Sequence, residues 1–285
     1  MTYQTLISAS ELKSRAQYLN IVVVDCRHDL TNPAYGREAY AAGHLPQARF
    51  AHLDELLSGP KTDAAGRFHG RHPLPDRQQF VQAMRELGIN NDTQVVAYDA
   101  HGGMYAARLW WLLRWIGHSD VAVLDGGMAA WQALGETLTS ETPAAAAPGN
   151  IQDLSSLVKT VDAQALLDNL KSQTLQVVDA RAPDRFRGEN ETIDAVGGHI
   201  PGAKNRFFKD NLQADGHFKS ATQLREEWLS VVGDPQAAVM QCGSGVTACH
   251  NLLALEVAGL PGAHLYPGSW SEWSSDPQRP VATGN

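Results

Sequence analysis

The chain has 285 residues, of which 43% are hydrophobic and 19% charged, a composition typical of a globular protein long enough for two domains. Its formal net charge of -8 argues against general binding to nucleic acid or to an anionic membrane surface. No apolar run is long enough to span a membrane, and residues 1–20 lack the basic start and apolar core of a signal peptide, so we expect a cytoplasmic protein.

Short apolar strands alternate with helical patterns along the first half of the chain. Residues 21–25 and 95–99 each predict a short buried strand that ends in an aspartate, and residues 104–115 predict a largely apolar helix. This alternation is typical of an α/β domain with a mainly parallel sheet and helices on both of its faces. Ligands of such domains bind beyond the carboxyl ends of the strands.

The second half of the chain repeats the first. Residues 43–46 (Gly-His-Leu-Pro) recur 155 positions later as residues 198–201 (Gly-His-Ile-Pro). Three further residues recur 142 positions later: Gly117, Gly126 and Trp131 return as Gly259, Gly268 and Trp273. An ordered series of matches predicts an internal duplication.

A segment rich in Ala and Pro separates the two copies and has the composition of a linker. We therefore predict a first domain at residues 1–140, a linker at 141–155 and a second domain at 156–285. The copies differ chemically, because Asp99 occupies the position that corresponds to Cys242. A carboxylate cannot act as a sulfur nucleophile, so the second domain is predicted to be the catalytic one.

Residues 237–259 carry the clearest chemical signature. They predict a buried strand, a glycine-bearing loop that opens on Cys242, and a helix that ends at Gly259. Loop amides and the positive end of the helix dipole converge on such a cysteine and favour its thiolate form. Cys26 and Cys249 are expected to be structural, with a regulatory disulfide to Cys242 as the alternative.

These features resemble the tandem rhodanese family of sulfurtransferases over nearly the whole chain. The resemblance rests on the two Gly-His-Leu/Ile-Pro motifs, on the turns at 124–127 and 266–270, and on the Cys-Gly-Ser-Gly-Val-Thr-Ala loop at 242–248. The loop is similar to that of family members that use 3-mercaptopyruvate, because thiosulfate-using members usually place basic residues there. The implied fold is α/β, with two tandem rhodanese-like domains.

The resemblance also implies a mechanism and a set of residues. Cys242 takes the donor's sulfur as a persulfide and passes it to cyanide, a small thiol or a thioredoxin-like protein, without a metal or organic cofactor. Ser244, His72 and Asp54 match a relay that protonates the leaving group, and His69 is the main alternative to His72. The loop residues assigned to donor binding are Gly243, Gly245, Val246 and Thr247.

Binding of the donor's carboxylate is the point at which this sequence departs from the family pattern. Arg187 matches an arginine that binds this carboxylate, but residues 189–198 contain no basic residue where family members usually carry a second arginine. Arg187 therefore acts alone, or Arg185, Lys204 or Arg206 replaces the missing group, or the preferred donor is a different molecule.

The sequence offers four alternatives to a 3-mercaptopyruvate sulfurtransferase, of which the phosphatase is excluded. Thiosulfate as the donor is the alternative within the same chemistry, and a persulfide carrier for a protein partner is the non-enzymatic alternative. A cysteine phosphatase of related fold needs an arginine six residues after the cysteine, and Ala248 occupies that position. A pure scaffold role is plausible for the first domain, which lacks the cysteine.

Overall fold

A computed structural model describes residues 2–15 and 20–285, arranged in two compact units. Unit 1 contains the described residues of Met1–Ser58, Pro75–Leu157 and Gln213–Phe218, and unit 2 contains Gly59–Leu74, Val158–Leu212 and Lys219–Asn285. The segment 59–74 thus belongs to unit 2 although it comes from the first half of the sequence. The domain boundaries given above stay a prediction. Part of the stretch behind the cytoplasmic prediction, Met1 and residues 16–19, lies outside the described residues.

Unit 1 is built on one parallel five-stranded sheet. Its strands have the spatial order β1-β5-β4-β2-β3, and every pairing between neighbours is parallel. The strands are β1 Leu6–Ile7, β2 Ile21–Asp25, β3 Arg49–Phe50, β4 Gln94–Tyr98 and β5 Val121–Leu124. The helices are α1 Ala9–Arg15, α2 Tyr35–Ala42, α3 Arg77–Glu86, α4 Ala106–Trp115 and α5 Gly127–Ala133.

Unit 2 repeats this topology in its own sheet, whose order is β6-β10-β9-β7-β8 with parallel pairings throughout. The strands are β6 Lys159–Thr160, β7 Gln176–Asp179, β8 Lys204–Asn205, β9 Ala238–Gln241 and β10 His264–Leu265. The helices are α6 Ala163–Ser172, α7 Pro183–Arg187, α8 Ala221–Val232, α9 Thr247–Val257 and α10 Ser269–Trp273. Short 3₁₀ turns cover Phe208–Asn211 and Pro235–Ala237. The predicted α/β class with two parallel sheets is confirmed.

The strand order decides where the helices of each unit lie. From β6 to β8 the chain moves across the sheet in one direction, and from β8 through β9 to β10 it returns. Because crossovers between parallel strands are right-handed, α6 and α7 cover one face and α8 and α9 cover the other. The central strands β7 and β9 are therefore shielded on both sides, which explains why their inner residues (Val177, Val178, Val239 and Met240) are apolar and buried. Among the described residues, no helix is long and apolar enough to cross a membrane.

The repeated Gly-His motifs belong to a buried polar frame at the end of the second strand of each unit. In unit 2 the Asp179 carboxylate accepts hydrogen bonds from the Arg181 guanidinium, which also donates to the Gly198 carbonyl at 2.6 Å. His199 stacks on Phe186 with ring centroids 3.7 Å apart. The same arrangement recurs in unit 1 with Asp25, Arg27, Gly43, His44 and Tyr40. These histidines support a turn, which accounts for their recurrence in both halves.

The loop after β4 shows what unit 1 has in place of the cysteine. The Asp99 carboxylate is fully buried and accepts four backbone N–H groups of its own loop, at 2.7 to 3.0 Å. The donors are His101, Gly103, Tyr105 and Ala106. A loop of converging amides binds an anion well, and in unit 1 the chain supplies that anion itself.

We expect Asp99→Asn to destabilise unit 1, because an amide side chain offers one acceptor oxygen in place of two and leaves buried N–H groups without a partner. The free energy of unfolding should fall by about 3 kcal/mol, since each unsatisfied buried donor costs about 1–3 kcal/mol. Urea denaturation followed by circular dichroism measures the change. Asp92→Asn is the matched control, because that side chain is exposed. Equal stability of the two variants would contradict the prediction.

Candidate active site

Cys242 directly follows the central strand β9, at the carboxyl end of the sheet of unit 2. The residue is 2% exposed, and its Sγ accepts the backbone N–H of Gly245 at 3.1 Å and that of Ser244 at 3.5 Å. Val246 precedes α9, and Thr247 is its first residue. The predicted strand, loop and helix thus converge on the sulfur, and two amides that stabilise a negative charge contact it.

The tightness of this loop depends on Gly245. Its φ is +79°, a left-handed conformation that favours glycine, and a Cβ atom there would lie 2.4 Å from the Pro267 carbonyl oxygen. The backbone of residues 266–268 therefore approaches the loop more closely than a residue with a side chain at position 245 would allow. This contact explains why a second glycine follows Gly243 in the sequence.

The turn that begins α10 is hydrogen-bonded to the backbone of Cys242, a role that the sequence does not predict. Ser269 Oγ accepts the Cys242 N–H at 3.1 Å and donates to the Tyr266 carbonyl at 2.9 Å. Trp270 N–H donates to the Cys242 carbonyl at 2.9 Å. The turn had been recognised as part of a motif, but spacing alone does not reveal that its hydroxyl group bonds the backbone of a residue 27 positions away.

Ser244 links the sulfur cradle to His72. His72 Nδ1 and Ser244 Oγ are 2.7 Å apart, and both residues are buried. The alternative histidine, His69, lies at the surface, where its Nε2 is 3.1 Å from an Asp63 carboxylate oxygen. The structure thus brings Cys242, Ser244 and His72 together within unit 2, and places His69 in a separate contact with Asp63.

Asp54, the third member of the predicted relay, belongs to unit 1. There its carboxylate lies 3.8 Å from His28 Nε2 and is about one-third exposed. Its role in the relay stays a prediction.

His28, His52 and Asp54 also form a group whose ligand atoms could surround a metal ion. Both ring nitrogens of His52 are already hydrogen-bonded, since Nε2 donates to the Pro33 carbonyl and Nδ1 accepts the Asp54 N–H. The ring of His52 is therefore committed to local structure and offers no unbonded nitrogen to a metal ion.

Two arginines lie beside the loop at Gly243, which has no side chain to keep them away. A Cβ atom on Gly243 would lie 2.6 Å from Arg71 Nη2 and 3.6 Å from Arg185 Nη2. Arg71 was not predicted from the sequence, because it comes from segment 59–74 of the first half. Arg185 had been named only as a possible substitute for Arg187.

The other basic residues that the sequence suggested have partners elsewhere in unit 2. The guanidinium of Arg187 pairs with Glu189 at 2.7 Å. Lys204 donates to the Val231 carbonyl, and Arg206 pairs with Glu227. The assignment of the donor's carboxylate to Arg187 stays a prediction that the observed contacts do not favour.

Acidic side chains from residues 189–198 meet the two arginines beside Gly243. Glu191 accepts hydrogen bonds from Arg185 at 2.8 to 3.1 Å, and Asp194 pairs with both Arg71 and Arg185. Burial alone would raise the pKa of Glu191. The hydrogen bonds from Arg185 and from the backbone N–H groups of Asp194 and Ile193 outweigh burial and hold that pKa below its usual value.

Cys26 and Cys249 are both buried, and neither is in a disulfide bond. Burial, together with the carboxylates of Asp25 and Asp99, raises the pKa of the Cys26 thiol well above its usual value, which keeps this cysteine protonated and unreactive. Cys249 lies within α9 and donates its S–H to the Gly245 carbonyl at 3.3 Å, so it ties the helix to the loop.

Comparison with known proteins matches this architecture to one family. The model of the rhodanese-like domain matches twice, at residues 8–134 and 162–276. The chain belongs to the rhodanese family. A probable 3-mercaptopyruvate sulfurtransferase of Pseudomonas aeruginosa is 46% identical over the full length of both chains. A putative thiosulfate sulfurtransferase, SseB, of Mycobacterium tuberculosis is 39% identical over 99% of this chain and 98% of its own.

Solved structures of rhodanese proteins agree with these matches. The 3-mercaptopyruvate sulfurtransferase of Leishmania major superposes with a TM-score of 0.84 at 30% identity, covering 98% of this chain and 76% of its own. The 3-mercaptopyruvate sulfurtransferase SseA of Escherichia coli gives a TM-score of 0.80 at 29% identity, covering 94% of this chain and all of its own.

We expect the loop of Cys242 to lose its conformation when Gly245 is replaced by a residue with a side chain. In Gly245→Ala the loop must move away from the Pro267 carbonyl, so its amides no longer converge on the sulfur. We expect the rate of Cys242 alkylation by iodoacetamide at pH 7 to fall at least about tenfold, the factor that corresponds to 1.4 kcal/mol.

Gly202→Ala is the matched control for that variant. Gly202 has a φ of +80°, but a Cβ atom there meets nothing within 4 Å. This variant should lose about 1 kcal/mol of stability from backbone strain alone and keep the alkylation rate of the unmodified protein. Equal alkylation rates in the two variants would show that the close approach to Pro267 does not shape the site.

Proposed function

We propose that this protein is a sulfurtransferase that takes sulfur from 3-mercaptopyruvate through a persulfide on Cys242. The observation that carries the proposal is the hydrogen bond between Ser244 and His72. These two buried side chains can carry a proton, and Ser244 belongs to the loop whose backbone amides contact the Cys242 sulfur. Such a pair suits a donor whose leaving group needs a proton. The full-length similarity to a probable 3-mercaptopyruvate sulfurtransferase supports the same donor.

The first half-reaction is a displacement at sulfur. The Cys242 thiolate attacks the donor's thiol sulfur, an S–S bond forms, and the bond between that sulfur and carbon breaks. The electron pair of the broken bond passes to the organic fragment, which leaves as the enolate of pyruvate and becomes pyruvate on protonation. Ser244 and His72 supply this proton. The amides of Ser244 and Gly245 stabilise the charge on Cys242 before the attack.

In the second half-reaction an acceptor nucleophile attacks the outer sulfur of the persulfide. The S–S bond breaks, the acceptor leaves with the sulfur, and the Cys242 thiolate is restored for another cycle. Cyanide, a small thiol or a reduced thioredoxin-like protein can fill this role. Each of these is a proposed acceptor, and a cytoplasmic location remains part of the proposal.

Arg185 and Arg71 are proposed as the groups that bind the donor's carboxylate, in preference to Arg187. Both guanidinium groups reach the space beside Gly243, next to the nucleophile, whereas Arg187 pairs with Glu189. A guanidinium group presents parallel N–H donors that match a carboxylate. Arg71 thus takes the place of the second arginine that residues 189–198 lack.

Thiosulfate is the second candidate donor. Two guanidinium groups beside the loop suit a doubly charged anion, and a relative at 39% identity is named as a putative thiosulfate sulfurtransferase. Sulfite is a stable leaving group that needs no proton, so this donor would make no use of the hydrogen bond between Ser244 and His72. That bond therefore favours 3-mercaptopyruvate.

Measurement of kcat/KM for 3-mercaptopyruvate and for thiosulfate, each with cyanide as the acceptor, shows which donor the enzyme prefers. We expect a preference for 3-mercaptopyruvate of about 100-fold or more, equivalent to about 2.7 kcal/mol of transition-state stabilisation. Cys242→Ser should abolish transfer from both donors while the circular dichroism spectrum stays unchanged. A preference for thiosulfate would make it the physiological donor class, and activity in Cys242→Ser would end the persulfide mechanism.

Loss of the relay should affect the two donors differently. We expect Ser244→Ala and His72→Gln each to lower kcat for 3-mercaptopyruvate by about 100-fold, a typical contribution of general acid catalysis, and to lower thiosulfate turnover by less than about threefold. His69→Gln compares the other histidine and should change neither donor's kcat more than about twofold. Equal losses with both donors would give Ser244 and His72 a structural role.

A further inference from the structure

Asp194 lies next to Arg71 and Arg185, in the segment where family members usually carry a second arginine. Its side chain is therefore negatively charged where the family pattern has a positive charge. We propose that the Asp194 carboxylate is an internal anion that competes with the donor for Arg71 and Arg185. It would thereby set the strength with which this site binds anionic donors. The identity of the donor rests on the proposed function above, but the competition itself concerns any small anion that reaches Cys242.

The contacts of Asp194 are those that a donor carboxylate would make. Its Oδ1 pairs with Arg71 Nη1, and its Oδ2 lies 3.4 Å from Arg185 Nη2. The Asp194 side chain is 7% exposed, and each arginine side chain is 19% exposed. Both guanidinium groups also reach the space above Gly243. One carboxylate therefore already bridges the two cations that flank the nucleophile's loop.

Glu191 holds the segment in place and leaves Asp194 as the replaceable anion. The Glu191 carboxylate pairs with Arg185 and, at 3.3 Å, with Arg181, and its Oε1 also accepts the backbone N–H groups of Ile193 and Asp194 at 2.9 and 3.0 Å. These bonds anchor the turn that presents Asp194. The carboxylate of Asp194 meets guanidinium groups on side chains that are partly open to solvent, so an incoming anion can take its place at small structural cost.

The charges around Gly243 balance in the absence of a donor. Arg71 and Arg185 bring two positive charges, and Glu191 and Asp194 bring two negative charges. A donor anion must displace Asp194 or bind at a site with no net positive charge. Removing the Asp194 charge leaves one positive charge uncompensated. In a partly buried site, a unit charge a few ångströms away changes anion binding by about tenfold or more.

The test compares alkylation of Cys242 by iodoacetate, which is an anion, and by iodoacetamide, which is neutral and nearly the same size. The ratio of the two rate constants reports how well the site accepts an anion and does not depend on sulfur transfer. We expect Asp194→Asn, which keeps the shape of the side chain, to raise this ratio about tenfold. Asp194→Glu restores the charge and should return the ratio to within about twofold of its original value.

Two further variants serve as controls. Asp168→Asn removes the same charge from the exposed side of α6 in the same unit and should leave the ratio unchanged. Glu189→Gln removes a charge from the same segment, but from the partner of Arg187. A rise in Glu189→Gln without a rise in Asp194→Asn would place the anion site at Arg187 and overturn the proposal.

An unchanged or lower ratio in Asp194→Asn, with an unchanged circular dichroism spectrum, would also overturn it. That result would make Asp194 a positioning residue that holds the two arginines in a binding geometry. Steady-state kinetics give the second readout: Asp194→Asn should lower KM for 3-mercaptopyruvate and change kcat less than about twofold. Failure of the unmodified protein to turn over either donor would refute the proposed function, whereas the alkylation ratio would still decide the role of Asp194.

Discussion

The structure depends on backbone amides that converge on one acceptor at the carboxyl end of a central parallel strand. In unit 2 that acceptor is the sulfur of Cys242, which accepts two N–H groups. In unit 1 the equivalent loop closes on the Asp99 carboxylate, which accepts four. A carboxylate fills such a loop and stabilises it, whereas the proposed function needs a sulfur at this position, because only a thiolate is a good nucleophile toward sulfur.

A row of alternating charges connects the frame of unit 2 to the loop of Cys242, beside Gly243. It begins with Asp179 at the end of β7 and continues through Arg181, Glu191, Arg185, Asp194 and Arg71. The pair of Asp179 and Arg181 has a counterpart in unit 1, where Arg27 pairs with Asp25. Glu191 and Asp194 belong to unit 2 alone. A structural ion pair has in this way been extended into a site. Each carboxylate in the row stabilises a guanidinium group that would otherwise be costly to bury.

The neutral loop and the buried pair of Ser244 and His72 together favour 3-mercaptopyruvate as the donor. The loop leaves room beside Gly243, and arginines from other segments fill that space from the side. Positive charge thus reaches the site without occupying the loop itself, and the Ser244 side chain of the loop contacts His72 instead. The acidic partners of the arginines reduce the net charge, so the site is less strongly cationic than two arginines would make it.

The sequence by itself determined the fold class and the duplication, because these depend on local patterns of apolar strands and recurrent turns. A cysteine in a glycine-bearing loop before a helix is a local pattern too, and it predicts Cys242 as the nucleophile. The same patterns located β2, β4 and α4 to within a residue or two. For Ser244 and His72 the sequence offers only a resemblance, because their contact spans 172 positions.

Only the tertiary structure decided which arginines stand beside Cys242. Arg185 and Arg187 lie two positions apart on the short helix α7, so their side chains point in different directions, and spacing could not tell which one faces the loop. Arg71 and Asp194 come from segments far from Cys242 in the sequence and meet beside Gly243 because the chain folds them there. Local periodicity reports how a segment folds, whereas the pairing of distant charges depends on packing that no single segment encodes.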